Sequence, residues 1–178
     1  TSSFSIGELQ NTKTADAVLA KINIETEGVP AFNLSQGPEV WAKAYRAAAI
    51  DAYFKKYDMP LEGMGMTMVE EAEKNGLDWR LIAAIAVRES TGGKFACKKA
   101  DNSFLGWGSC KIDFKSREHA IEVVARNLGG NNPNTAYHYA DKDIKGILQA
   151  YNPPSIVPRY ADQVIAIMNA IGPANLGV

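Results

Sequence analysis

Asp78-Trp79-Arg80-Leu81-Ile82-Ala83-Ala84-Ile85-Ala86-Val87-Arg88-Glu89-Ser90-Thr91-Gly92-Gly93 is the stretch on which the reading of this chain turns. Asp78 suits a helix N-cap and Gly92-Gly93 supplies a left-handed stop, so the pattern predicts a helix from Trp79 to about Ser90. Residues 81 to 87 are all apolar. No face of those two turns is written for water, which predicts a buried central helix; it is too short to cross a bilayer.

Glu89 interrupts the apolar pattern. It follows Ile85 by four residues and Ile82 by seven, so helical spacing stacks it on an apolar face at the end of the segment. Partial desolvation and the negative end of the helix dipole both favour a protonated carboxyl there, the form a general acid needs. The plainer alternative for a single Glu is an ion pair with Lys94, Lys98 or Arg88 at the helix end.

Outward from this helix, other helices announce themselves by their punctuation. Pro38 opens one that continues through Trp41, Tyr45 and Ala49 to about Tyr57. Met59-Pro60 breaks it, and a helix from about Gly65 to Lys74 is closed by Asn75-Gly76, with the methionines from Met59 to Met68 read as core filling. Downstream, Ser116 caps a helix whose inward stripe is Ala120, Ile121, Val124, Ala125 and Leu128, and Gly129-Gly130 stops it. Residues 131 to 135 read as a polar loop, 141 to 151 as a helix, 152 to 156 as a rigid turn and 158 to 171 as a final amphipathic helix. The helices at 116–128, 141–151 and 158–171 are expected to pack around the helix at 79–90. The fold class is therefore mainly α, with a short β-hairpin admitted near residues 101–114. Residues 1–58, with one modest helix signal at 14–22, read as an N-terminal arm and helical appendage, and residues 59–178 as the main domain.

The composition excludes several classes. With 46% hydrophobic and 22% charged residues, the 178-residue chain has an ordinary globular balance and is not disordered throughout. A net charge of -1 provides no basic field for nucleic acid or anionic lipid, and no apolar run is long enough for a membrane span. The start Thr-Ser-Ser, without Met or a signal-peptide pattern, reads as a chain beginning after a removed segment or at an artificial boundary. Cys97 and Cys110 are the only cysteines, too few for a four-ligand zinc site with His119 and His138 at no recognisable spacing, so neither metal nor cofactor is expected. A disulfide is open to the pair; it would close the loop 98–109 and contribute roughly 3 kcal/mol in an oxidising compartment.

Four signals then occur in order: the helix ending in Glu89-Ser90, the Gly106-Trp107-Gly108 loop, the helix at 116–128, and Ala150-Tyr151-Asn152 at a helix end. Over roughly residues 60 to 171 this set resembles the lysozyme-like superfamily, in its bacterial peptidoglycan-cleaving branch of soluble lytic transglycosylases and glucosaminidase-like domains. The resemblance implies a lysozyme-like helical domain that cuts a β-1,4 bond between the amino sugars of peptidoglycan. By position it makes Glu89 the general acid and then base, and gives Tyr151 a role facing that acid. It places Ser90, Asn102, Gly106, Trp107 and Asn152 against the glycan. A Tyr hydroxyl and an Asn amide suit such a cleft because they hydrogen-bond carboxyl and N-acetyl groups without adding charge, and Trp107 suits either stacking on a sugar or covering the loop. The loop departs from the Gly-Leu-Met-Gln type of transglycosylases toward the glucosaminidase version, and no second carboxylate matches Glu89, since Asp101 and Asp113 read as turn or surface residues. The alternatives are an endo-β-N-acetylglucosaminidase and a non-catalytic glycan-binding or structural module. A monomer acting outside the cytoplasm, in the envelope or in association with phage, is what the resemblance implies.

Overall fold

The computed structural model describes residues 37–97, 99–100, 102–109 and 111–175. Among the described residues the protein is mainly helical, with seven helices: α1 (Pro38–Lys56), α2 (Gly65–Lys74), α3 (Leu81–Ser90), α4 (Arg117–Leu128), α5 (Ala136–Tyr139), α6 (Ile144–Tyr151) and α7 (Tyr160–Ile171). The expected helix at 14–22 lies outside the described residues. Among the described residues, no helix is long and apolar enough to cross a membrane.

The helix that decides the reading begins later than its sequence suggests. Asp78 spends its carboxylate on Arg80, accepting from the backbone N–H at 3.0 Å, from Nε at 2.9 Å and from Nη2 at 2.7 Å, so a tight turn precedes α3 and Arg80 takes the cap position. Arg80 also donates to the Gly172 carbonyl at 2.8 Å, which ties the entry of α3 to the end of α7. The stop begins one residue earlier than expected: Thr91 is already left-handed (φ 53, ψ 51), Gly92 and Gly93 follow with positive φ (62 and 95), and the N–H of Gly92 returns to the Ala86 carbonyl. Gly92 is required for space as well, because a β-carbon there would lie 2.6 Å from the sulfur of Met59.

Leu81 through Ala86 are entirely shielded from solvent. They belong to one hydrophobic cluster that takes in Ala47, Ile50 and Phe54 of α1, Met68 and Val69 of α2, Ile121 and Leu128 of α4, Leu148 of α6 and Val164 of α7. Burying each such aliphatic side chain contributes on the order of 1.5–3 kcal/mol. The boundary expected at residue 58 thus falls between helices that share a core. Arg46 and Lys43 on α1 both pair with Glu73 on α2, and Asp51 on α1 accepts from the N–H groups of Gly63 and Gly65.

Of the helices expected around α3, α7 packs directly against it, whereas α4 packs chiefly on α2 and α6 on α7. Met59 and Met68 fill the core as read, while Met66 is exposed. The hairpin is replaced by turns. An isolated bridge joins Cys97 and Ala100, and the described part of 101–114 contains no strand, because Gly106, Gly108 and Ser109 all have positive φ and reverse the chain too often for a ladder to extend. The polar stretch after α4 is also more ordered than a loop. The buried Asn127 side chain accepts from Asn132 at 3.0 Å and Thr135 at 2.6 Å, and Asn131 donates to Asn75 at 3.0 Å, fixing the approach to the four-residue helix α5.

Candidate functional site

The C-terminal end of α3, the first residue of α7, the turn around Gly106 and the last residue of α6 converge on Glu89. Its carboxyl is half-buried, and Oε1 accepts a hydrogen bond from the Tyr160 hydroxyl at 2.6 Å. The other oxygen faces the turn: a β-carbon on Gly106 would lie 2.5 Å from Oε2, so only glycine, at φ +72, lets the loop backbone approach the carboxyl this closely.

Among the described residues, neither Arg88 nor Lys94 forms the expected ion pair with Glu89. Arg88 donates from Nε to Gln163 at 2.8 Å, Lys94 donates to the Tyr57 carbonyl at 2.9 Å and lies 3.9 Å from Asp58, and Lys98 is outside the described residues. Among the described residues, Glu89 has a phenol for a partner and no cation.

An aromatic wall adjoins the carboxyl. Tyr151 stacks on Tyr160 at 5.9 Å between ring centroids, Trp107 lies 5.9 Å from Tyr151, and Tyr139 lies 6.1 Å from Trp107. Burial raises the Tyr139 hydroxyl above its ordinary value and holds those of Tyr151 and Tyr160 well above theirs. At Tyr160 the hydrogen bond to Glu89 adds to that effect, and at Tyr151 the negative charge of Glu89 does so. All three therefore remain neutral donors wherever the protein is folded at ordinary pH.

Tyr151 and Trp107 are thus brought to the site, although the Tyr151 hydroxyl donates to the Leu105 carbonyl rather than facing the acid. This bond pins the turn that carries Gly106. Trp107 is half-buried and packs against the core beside Tyr139 and Tyr151, the covering role of its two readings. Ser90 is not available to a ligand: it is buried, donates to the Ala86 carbonyl at 3.0 Å and accepts from the Gly93 N–H at 2.9 Å, so its hydroxyl closes the helix end. Asn102 likewise uses its amide on the Phe114 carbonyl at 2.8 Å. Asn152 ends α6, and its side-chain amide has no hydrogen-bond partner among the described residues. Cys97 is disulfide-bonded, and Cys110, the only other cysteine of the chain, lies outside the described residues along with the separation of the pair.

The sequence reading missed Tyr160. It lies inside the amphipathic helix read over 158–171, where the structure buries it with Ala161, Val164, Met168 and Ile171; a buried Tyr needs a partner for its hydroxyl, and that requirement was the available signal. No group of three or more His, Cys, Asp or Glu side chains comes together among the described residues. A surface groove of about 490 Å³ lies at the opposite end of α3, lined by Leu77, Arg80, Ile144, Lys145, Ile165 and Met168 among others, and holds none of the candidate site residues read from the sequence. Its mixed lining offers no acid placed as Glu89 is. No family model, no curated protein and no solved structure matches this chain.

Proposed function

We propose that the chain cleaves a β-1,4 glycosidic bond in the glycan strand of peptidoglycan, with Glu89 as general acid and then general base. The observation that carries this reading is the carboxyl itself. It is half-buried, unpaired with any cation among the described residues, fixed at one oxygen by the Tyr160 phenol, and bordered at the other by a glycine backbone beside an aromatic wall. An acid so placed is oriented rather than neutralised, with Oε2 beside the turn where a leaving glycosidic oxygen would be protonated.

The chemistry follows from a single acid. Protonation of the bridging oxygen by Glu89 releases one sugar as the C1–O bond breaks, and the carboxylate left behind accepts a proton from the incoming nucleophile. Two-carboxylate hydrolysis would require a second acid; Asp113, the one described candidate in the loop, is exposed. The incoming group is then the substrate's own hydroxyl, which gives its proton to Glu89, or its acetamido oxygen, in which case the proton comes from the water that opens the resulting oxazolinium ion, as the resemblance to lytic transglycosylases and glucosaminidase-like domains implies. On this reading the domain is lysozyme-like with α3 as its central helix, and acts in the envelope or in association with phage. The Gly106-Trp107-Gly108 turn favours, as the second reading, cleavage on the N-acetylglucosamine side.

Digestion of purified peptidoglycan followed by mass spectrometry of the muropeptides tests the proposal. Anhydro-muramyl ends identify transglycosylation, and reducible ends identify hydrolysis and the bond cut. Glu89→Gln keeps shape and removes the transferable proton, so it should lower the rate by roughly 10² to 10⁴ while glycan binding persists. A wild-type protein that releases nothing at any pH, or a Glu89→Gln variant as fast as wild type, would return the chain to the non-catalytic module.

A further inference from the structure

Arg88 precedes Glu89 in α3 and turns toward α7. Its guanidinium carbon lies 5.6 Å from the centroid of the Tyr160 ring, and its Nε–H donates to Gln163 Oε1 at 2.8 Å. The same ring carries the hydroxyl that donates to Glu89 Oε1 at 2.6 Å, and it stacks on Tyr151. We propose that Arg88, held by Gln163, is a positioning residue that fixes the Tyr160 phenol and through it the Glu89 carboxyl. This rests on the catalytic reading of Glu89 given above.

An exposed Arg–Gln hydrogen bond between two helices contributes little to stability by itself. Its placement gives it another consequence. A cation over a phenol ring attracts the ring electrons and makes the O–H a better donor, so Arg88 strengthens the bond that holds Oε1. The guanidinium bonds Gln163 through Nε while its carbon sits over the Tyr160 ring, so one side chain both holds to α7 and places its charge beside the phenol. Lysine could supply the charge without that combination. Arg88 therefore touches neither the carboxyl nor the glycan and acts only through Tyr160.

Steady-state release of fragments from solubilised peptidoglycan strands tests this on the full chain. Arg88→Met should lower kcat by about three- to ten-fold with KM unchanged, and Arg88→Lys should recover part of that loss. The decisive comparison is the double variant: in a Tyr160→Phe background, Arg88→Met should have no further effect on kcat, because the path through the phenol is already cut. Multiplying losses in the double variant, or a change confined to KM, would overturn the assignment. Should Arg88→Met fail to fold, Gln163→Leu keeps the charge but frees the guanidinium, and a smaller kcat loss, again absent in the Tyr160→Phe background, is expected. A wild type without activity overturns the catalytic reading and this inference with it, whereas an active wild type with independent Arg88 and Tyr160 effects overturns the positioning role alone.

Discussion

Tyr160 and Glu89 stand 71 residues apart in the chain, and their oxygens meet at 2.6 Å. The hydroxyl comes from the first turn of α7 and the carboxyl from the last turn of α3, so the packing of these two helices sets the geometry of the acid. Tyr160→Phe keeps the ring and its stacking on Tyr151 while removing the donor. The variant should lose about ten-fold in the rate of glycan cleavage, less than Glu89→Gln. Leaving Oε1 without its buried partner should also lower stability by about 1–3 kcal/mol. Activity assays beside denaturant unfolding check both; an unchanged rate with lowered stability would reduce Tyr160 to a structural role.

Gly106 and Gly108 allow a controlled comparison within one turn. Both have positive φ, +72 and +71, so alanine strains the backbone by about 1–2 kcal/mol at either position. Their surroundings differ. The new β-carbon would lie 2.5 Å from Glu89 Oε2 at Gly106, but 2.6 Å from the terminal methyl of Ile112 at Gly108, which can swing aside. Gly106→Ala should therefore displace the carboxyl and lower activity by about 10²-fold, while Gly108→Ala loses similar stability and keeps most of its activity. Equal activities in the two variants would show that Oε2 is not the working oxygen.

How much of this was legible in the sequence depends on the range of the forces involved. Gly65–Lys74 and the Ser116 cap are written locally, as stop residues and a hydroxyl three positions before the N–H it accepts from, and both appear as read. The start of α3 was misread because Asp78 had two local options, and bonding with Arg80 won over capping further along. Helix α5, at four residues, is too short for any periodicity to reveal. For the site, the placement of Glu89 on an apolar face is a local property and was legible. Its partner was not, because nothing near Tyr160 in sequence names a carboxyl so distant. The same limit explains Ser90 and Asn102: their residue types suit a sugar, but only three dimensions show that their polar groups are already occupied by Ala86, Gly93 and Phe114.

Thr91 offers a route to greater stability beside the site. It is an exposed β-branched residue in the left-handed conformation, which costs L-residues about 1–2 kcal/mol, and its hydroxyl makes no hydrogen bond among the described residues. Thr91→Gly relieves the strain and returns part of the gain as greater freedom of the unfolded chain. The net expectation is a rise of about 1 kcal/mol in unfolding free energy, read from the denaturant midpoint, with the same activity. A fall would indicate that the threonine side chain makes a compensating contribution.

The buried phenols also make a prediction about alkaline pH. Tyr160 is about 1% exposed, and its hydroxyl is held above its ordinary value of 10.0 first by burial and then by the bond to Glu89. In the unfolded chain this tyrosine ionises near 10, whereas in the folded protein it keeps its proton to higher pH. The unfolded state therefore binds fewer protons above pH 10, and stability falls as pH rises. Below that point both states are protonated and the contribution is fully present. It is lost progressively as pH climbs toward the folded value, at a limiting slope of about 1.4 kcal/mol per pH unit for this one residue. Lysines titrate in the same window, so the comparison must be with Tyr160→Phe, which cannot ionise there. Denaturant unfolding at several pH values between 8 and 11 should show wild-type stability falling more steeply than that of the variant, the difference opening only above about pH 10. Parallel slopes would mean that Tyr160 ionises as readily in the folded protein as in the unfolded chain, and that the phenol holding Glu89 is far more open to solvent than its packing indicates.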